Sequence, residues 1–325
     1  MSPRGTDWSL AALVAALAVT GGLTLFSGSW VFAMHGAAGF ALAAVLVWKL
    51  RRVRLRRASG VRALSLVALT LFTGWAWSSG ARLSGFGYNA LNLHGVLGFL
   101  LALAVLSHAL ARAKRPRVRD LSRRQLLVAG GAFVAWELQR PLARLLGWRG
   151  ANRRYTGSYE VASFRGNAFP TTSWVADAPP PLSGHALRVD GRVRRPLTLS
   201  AAELDAGDRV VATLDCTGGF YSTQEWRGIR VAALLARAGA RGDHVSAVSV
   251  TGYRWCFSAH DDRLLLATHV GGEPLSHGHG APVRLVAPGR RGFQWVKWVV
   301  RLEVRDTPDL GAPASTVWSS FVPKL

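Results

Sequence analysis

The chain has 325 residues, half of them apolar, and a net charge of +22, which is length enough for two modest units. No basic and aromatic recognition motif accompanies that charge, which argues against nucleic acid as a partner. Its two cysteines, Cys216 and Cys256, exclude a fold held by a disulfide framework.

Four uncharged stretches come first, at residues 9–26, 29–48, 63–81 and 83–111. Each approaches or exceeds the roughly 20 residues that a helix needs to cross a bilayer core. The pattern predicts four transmembrane helices over residues 1–115, with membrane lipid around them. Residues 1–125 hold 16 Lys or Arg against two acidic residues, Asp7 and Asp120. Seven of these cations lie between Lys49 and Arg62 and seven between Arg112 and Arg124. These segments follow the second and fourth helices, so both belong on one side of the membrane, the cytoplasmic one. The charge is mostly a topology signal.

The membrane part repeats itself. His35-Gly36-Ala37-Ala38-Gly39-Phe40 in the second helix and His94-Gly95-Val96-Leu97-Gly98-Phe99 in the fourth share the pattern HGxxGF. An ionisable residue inside a membrane is by default a functional hypothesis, and the glycines beside it let a helix or a flat ring approach. Two histidines at matching depth suit the axial ligation of a b-type haem, so His35 and His94 are its candidate ligands. The alternative is that each imidazole bonds a carbonyl of a neighbouring helix. His108 lies 14 residues beyond His94 and about 21 Å further in. There the repeat offers Lys49 as the opposite residue, so His108 is expected to be an ordinary packed or hydrogen-bonded histidine.

Residues 116–148 read as a boundary. Ser122-Arg123-Arg124-Gln125-Leu126-Leu127 precedes a short apolar run to Trp136. A paired arginine before a mildly apolar segment resembles a twin-arginine export signal, here internal. It predicts a fifth membrane segment, weakened by Glu137 and Arg140, that delivers a folded domain to the outer side.

From residue 149 to 325 the chain reads as an α+β unit. Residues 187–194 alternate around Asp190-Gly191, a two-residue hairpin signal. Residues 210–214, 245–250, 283–286 and 295–304 are strand-like, and 229–240 has helical spacing that ends near Gly242.

Within this part, Leu214-Asp215-Cys216 is followed by Trp226-Arg227-Gly228-Ile229, and then by Leu234-Leu235-Ala236-Arg237-Ala238-Gly239. His279-Gly280-Ala281-Pro282-Val283-Arg284-Leu285-Val286 comes later, with Gly292-Phe293 and Lys297-Trp298 after it, and Arg165-Gly166-Asn167-Ala168-Phe169-Pro170 stands upstream. In their order and spacing these motifs resemble the molybdopterin-binding domain of the sulfite oxidase family, which includes the periplasmic protein-methionine-sulfoxide reductases. The resemblance implies a molybdenum-molybdopterin cofactor with Cys216 as the metal ligand. It implies Arg284 and Lys297 as partners of the pterin phosphate, and Asn167, Pro170, Thr171, Thr251, His279, Trp295 and Val296 as lining. The residue type suits the chemistry, since a soft thiolate is a fitting ligand for a centre already held by dithiolene sulfurs.

Arg227, Arg254, Arg290 and Arg291 are candidates for drawing an oxyanion toward the metal or for plain surface solvation. Against the family pattern, neither an immunoglobulin-like dimerisation domain nor a cytochrome b5-type haem domain is expected here. The whole reads as a helical membrane bundle of four to five helices followed by an α+β molybdopterin-binding domain outside the cytoplasmic membrane. Its expected function is oxygen-atom transfer to or from a small oxo compound, with electrons passing through the membrane haem to or from a quinone or another redox partner. The alternatives are the same enzyme on a haem-free anchor, and a non-catalytic membrane module with a degenerate pterin domain.

Overall fold

The computed structural model describes residues 2–24, 28–52, 58–81, 84–85, 88–112, 123–172, 179 and 184–319. The chain forms two compact units, Met1–Tyr159 and Glu160–Leu325. Their division falls somewhat beyond the boundary expected at 148, because the segment after the fifth helix folds with the helices.

The first unit contains α1 (Pro3–Leu23), α2 (Ser29–Leu50), α3 (Ala58–Ser79), α4 (Ala90–Arg112) and α5 (Arg123–Leu145). Helix α1 starts where the Ser2 hydroxyl accepts the Gly5 N–H at 2.9 Å, with Pro3 preset for the first turn. The first four helices are long and apolar enough to cross a membrane. Helix α5 has the length but carries Arg123, Arg124, Glu137, Arg140 and Arg144, and it is not among the four. Two short strands, β1 (Ser84–Gly85) and β2 (Tyr88–Asn89), pair antiparallel between α3 and α4.

Helices α1 and α2 pack as one hairpin and α3 and α4 as another, with α1 against α4 and α5 against α2. Val14, Leu42 and Leu101 form a core where α1, α2 and α4 meet. Outward, Trp30, Met34, Phe72, Val96, Phe99 and Leu106 are exposed. An apolar face of that extent is unstable in water but at home in hydrocarbon. Helix α5 seats the Trp136 ring directly on Gly36, where any Cβ would overlap the indole, and Phe40 adds an edge contact at 6.0 Å. One glycine of the repeat therefore receives a ring from α5. At Gly39, Gly95 and Gly98 a Cβ would meet nothing within 4 Å.

Lys49 forms an ion pair with Asp7 at 2.7 Å, and His108 is exposed on α4. Arg123 and Arg124 open α5, while Leu121, Ser122 and residues 53–57 and 113–120 of the basic segments lie outside the described residues.

At the junction stands β3 (Tyr159–Glu160). The second unit then builds two sheets from β4 (Ala186–Gly191), β5 (Leu197–Ser200), β6 (Asp208–Asp215), β7 (Phe220–Arg230), β8 (His244–Ser249), β9 (Arg254–Ser258), β10 (Leu265–Val270), β11 (Glu273–Pro274), β12 (Arg284–Val286) and β13 (Val299–Arg305). One sheet has the order β5-β4-β13-β8-β9. The other centres on β7 and β10, with β6 paired to β7 and with β11 and β12 paired to β10. Leu187, Leu199, Leu302, Leu264, Leu265, Leu266 and Leu285 are fully buried in this unit. Helix α6 (Val231–Ala238) follows β7 and closes on Gly239 in the left-handed conformation (φ 62°), three residues before the stop expected near Gly242. A last short helix, α7, spans Ser315–Trp318.

The hairpin expected at Asp190-Gly191 is displaced. Both residues belong to β4, and the chain turns over residues 192–196 before β5 pairs antiparallel with β4. The Asp-Gly pair serves another purpose. Asp190 receives Arg188 at 2.7 Å and Arg301 at 2.8 Å. Gly191 (φ 86°) lets β4 run parallel against β13, where a Cβ would strike the Val304 carbonyl. The strand expected over 295–304 begins only at Val299, because Trp298 sits at φ 50° and bends the chain.

Candidate functional site

Strand β6 runs antiparallel to β7 in continuous register from Asp208↔Gly228 to Asp215↔Tyr221. Cys216 is the first residue past its end. There the Cys216 N–H bonds the Phe220 carbonyl at 2.8 Å and the Gly219 N–H bonds the Cys216 carbonyl at 3.0 Å, a tight turn that fixes the thiol. Cys216 is buried, and both cysteines are free thiols. Two polar groups meet its sulfur: the Gly218 N–H donates to it at 3.3 Å, and the Thr172 hydroxyl lies 3.2 Å away, with either partner able to donate. Asp215, next in the chain, is buried against Arg291 at 3.0 Å.

Arg284 on β12 is 1% exposed. Its guanidinium lies 5.1 Å from the centre of the Trp226 ring and 5.7 Å from that of Trp295, two rings that meet edge to face at 5.6 Å. One nitrogen donates to the His279 carbonyl at 3.0 Å, while Nε is buried without a hydrogen-bond partner. Among the described residues no carboxylate pairs with it. Burial pushes this arginine down to about 10, and negative charge at Cys216 offsets part of that. A buried cation with no carboxylate is costly unless an anion joins it.

His279 stacks on Phe169 at 4.0 Å between ring centres and bonds the Phe169 carbonyl through Nε2 at 2.9 Å. A carbonyl only accepts, so Nε2 carries the proton and Nδ1 accepts from the Ser276 hydroxyl at 2.7 Å. Burial, followed by the neighbouring Arg284 charge, holds this imidazole down at about 4, so it is neutral at pH 7. Lys297 donates to the Thr172 carbonyl at 2.7 Å and to the Gly278 carbonyl at 2.6 Å. The backbone approaches closely here. A Cβ on Gly278 would lie 2.8 Å from the Thr171 methyl, and one on Gly280 (φ 105°) would press on Lys297 and Arg284 at 3.0–3.1 Å.

Cys216, Arg284, His279, Lys297, Trp295 and the Phe169–Thr172 segment thus belong to one connected network. Asn167 reaches it indirectly: its amide donates to the Pro274 carbonyl and accepts the Ser276 N–H, each at 2.9 Å, which holds the loop before His279. Pro170 and Thr171 are exposed beside it. Thr251 bonds Ser249 at 3.1 Å, and its neighbour Val250 bonds the Trp298 carbonyl at 3.0 Å. Val296 is a core residue whose carbonyl accepts the Leu285 N–H at 2.7 Å. Three of the four arginines considered as oxyanion attractors are ion-paired instead: Arg227 with Asp205 at 3.1 Å, Arg254 with Asp309 at 2.6 Å, and Arg291 with Asp215. The roles of Thr172, Gly218 and the Asp215–Arg291 pair escaped sequence reasoning, because each depends on partners tens of residues away or on a main-chain N–H.

These residues fit a molybdopterin. The fully buried arginine lacks an anion, the glycine loop leaves room where side chains would intrude, and a soft sulfur is available as metal ligand. Among the described residues, no group of three or more His, Cys, Asp or Glu forms an all-protein metal site.

In the first unit, His35 and His94 face each other with ring centres 6.0 Å apart and planes at 90°. His94 Nδ1 lies 2.9 Å from the Thr70 carbonyl, which only accepts, so in the neutral ring Nδ1 carries the proton. His35 Nδ1 lies 2.9 Å from Thr20 Oγ1, whose own hydrogen is engaged by the Ala16 carbonyl at 2.7 Å. The same tautomer follows for His35. Both rings therefore keep Nε2 as the basic nitrogen, the arrangement found in metal-bound histidines whose other nitrogen is anchored. The carbonyl bond expected as the alternative to haem ligation is present at His94. Gly74 makes room for the ring, since a Cβ there would lie 2.8 Å from His94 Cε1.

Residues 175–312 match the family described as the oxidoreductase molybdopterin-binding domain. A barley (Hordeum vulgare) nitrate reductase is 28% identical over 182 residues, which cover 42% of this chain and 19% of that protein. The catalytic subunit of protein-methionine-sulfoxide reductase from Gluconobacter oxydans is 26% identical over 243 residues, 64% of this chain and 75% of that one. Sulfite oxidase from Gallus gallus is 32% identical over 167 residues, 39% of this chain and 36% of that one. The chain spans under a fifth of the barley enzyme's length.

Proposed function

We propose that the chain is a membrane-anchored oxidoreductase of the sulfite oxidase family, on the match of residues 175–312 to the oxidoreductase molybdopterin-binding domain and on the four helices long and apolar enough to cross a membrane. It acts on a small oxo compound outside the cytoplasmic membrane, by oxygen-atom transfer. The observation that carries this reading is the buried Arg284, with no carboxylate partner among the described residues, in one network with the buried thiol of Cys216.

Molybdenum bound by a pterin dithiolene supplies the two-electron redox chemistry and the exchange of an oxygen atom. The chain supplies the rest. Cys216 Sγ is the protein ligand to the metal, and Arg284 with Lys297 answers the negative charge of the pterin phosphate. Trp226, Trp295 and Phe169 keep water from the buried guanidinium, which strengthens each charge interaction there. His279 stays neutral and holds the Phe169–Thr172 segment against the loop that carries it, while Asn167 braces that loop. Thr251, Val296, Trp295, Pro170 and Thr171 frame the cofactor.

His35 and His94 would hold a b-type haem, which would supply one-electron chemistry exchanged with a quinone or another redox partner. His35 is the seventh residue of α2 and His94 the fifth of α4. At 1.5 Å per residue both rings lie within about 10 Å of the ends where their helices begin. In the orientation set by the basic segments, that end is the outer one. A screen of small oxo compounds against the reduced protein tests this function. At least one compound should reoxidise the haem in the wild type and fail to do so in Cys216→Ser; no reoxidation by any oxo compound would count against it.

Delivery of the second unit to the outer side is assigned to Arg123 and Arg124 at the start of α5. Export by the twin-arginine route needs the guanidinium pair, whereas lysine satisfies the general charge rule equally well. Arg123→Lys with Arg124→Lys should leave the second unit protected from protease added outside. Cleavage of the double variant from outside would remove the signal assignment.

A further inference from the structure

The segment Phe169–Thr172 crosses beside the Cys216 sulfur and is held there at both ends. The Phe169 carbonyl takes the His279 Nε2 proton at 2.9 Å, and the Thr172 carbonyl takes the Lys297 ammonium at 2.7 Å. Between these anchors the Thr172 hydroxyl comes within 3.2 Å of Cys216 Sγ. Gly218 admits this approach, since a Cβ there would lie 3.3 Å from the Thr172 methyl and 3.4 Å from the sulfur. The Gly218 N–H itself points to the sulfur at 3.3 Å. A thiolate bound to a metal has no proton to give, so in the loaded protein the threonine hydroxyl is the donor.

We propose that Thr172 is a positioning residue for the Cys216 sulfur: its hydroxyl and the Gly218 N–H are two donors that fix the sulfur's direction and draw electron density from it. The inference rests on the assignment of Cys216 as the metal ligand. Hydrogen bonds to a ligating sulfur weaken its donation and favour the more reduced state of the metal. Thr172 therefore raises the potential of the centre, and its hydroxyl, not its bulk, is what the centre requires.

The test compares the full-length wild type with Thr172→Val, which keeps the shape, and Thr172→Ser, which keeps the hydroxyl. Molybdenum content and the midpoint potential of the metal's one-electron couple are read by spectroscopic redox titration. Thr172→Val should shift the couple to lower potential by three- to tenfold in its equilibrium constant, at most about 59 mV, while Thr172→Ser stays at the wild-type value. Loss of molybdenum from the valine variant alone, with the serine variant fully loaded, would also support the hydroxyl's role. A loaded valine variant with an unmoved potential overturns the inference, and so does an equal shift or loss in both variants. A wild type without molybdenum would overturn the ligand assignment and this inference together, which separates the two failures.

Discussion

Cys216→Ser should reduce turnover below detection while the protein still folds and reaches the membrane. Serine fits the space of the buried thiol, and the bonds that shape the turn, Cys216 N–H to Phe220 and Gly219 N–H to the residue 216 carbonyl, are all main-chain. The fold therefore has no reason to fail. A hydroxyl is a poor replacement for a thiolate on a soft metal centre, so the loss should exceed the roughly 10–100-fold that removal of an outer-shell partner costs. Steady-state turnover with the oxo compound found active, beside the melting temperature of the same sample, checks both halves. Cys256→Ser is the control, since Cys256 lies in β9, away from the Cys216 network, and it should be silent. Full activity in Cys216→Ser would remove the metal-ligand assignment.

His35→Ala and His94→Ala should each abolish the b-type haem spectrum, and His108→Ala should leave it intact. The two rings lie 6.0 Å apart with their Nδ1 atoms bonded to Thr20 and Thr70, so loss of either would take one axial imidazole from the proposed haem. The repeat places no histidine opposite His108. The residue that the repeat places there, Lys49, is an ammonium paired with Asp7 at 2.7 Å, and a protonated amine has no lone pair for iron. Absorption spectra of the purified variants, normalised to protein, read the effect. Two haems per chain in the wild type, or a spectrum indifferent to His35, would contradict the arrangement.

Much of this was legible in the sequence, for identifiable physical reasons. Long apolar runs must become helices in a bilayer, so α1 to α4 appeared directly in the spacing of charges. The matched HGxxGF motifs announced that His35 and His94 share a depth, because helical rise converts sequence position into height. What they did not announce was Trp136: its contact with Gly36 joins residues a hundred positions apart, and nothing in the run before Trp136 marks which helix it meets. In the second unit the edges of the elements were less readable. Asp190-Gly191 carries a hairpin signal, yet two arginines and the close approach of β13 claim it for a strand. Ile229-to-Ala240 helicity was visible, but the left-handed cap fell on Gly239. Motif order nominated Cys216, His279, Arg284 and Lys297, which the fold brings into one network, whereas it drew no attention to Thr172 or to the Asp215–Arg291 pair. A threonine or an aspartate becomes informative only when folding sets it against a sulfur or a guanidinium from another part of the chain.

The most direct measurement of the central claim is the molybdenum content of the purified full-length protein, produced in a host that makes the pterin cofactor. The purified protein should carry one molybdenum per chain, released together with a pterin on denaturation, if the buried Arg284 and the thiol of Cys216 hold that group as proposed. A folded, membrane-inserted protein that contains no molybdenum under those conditions would contradict it.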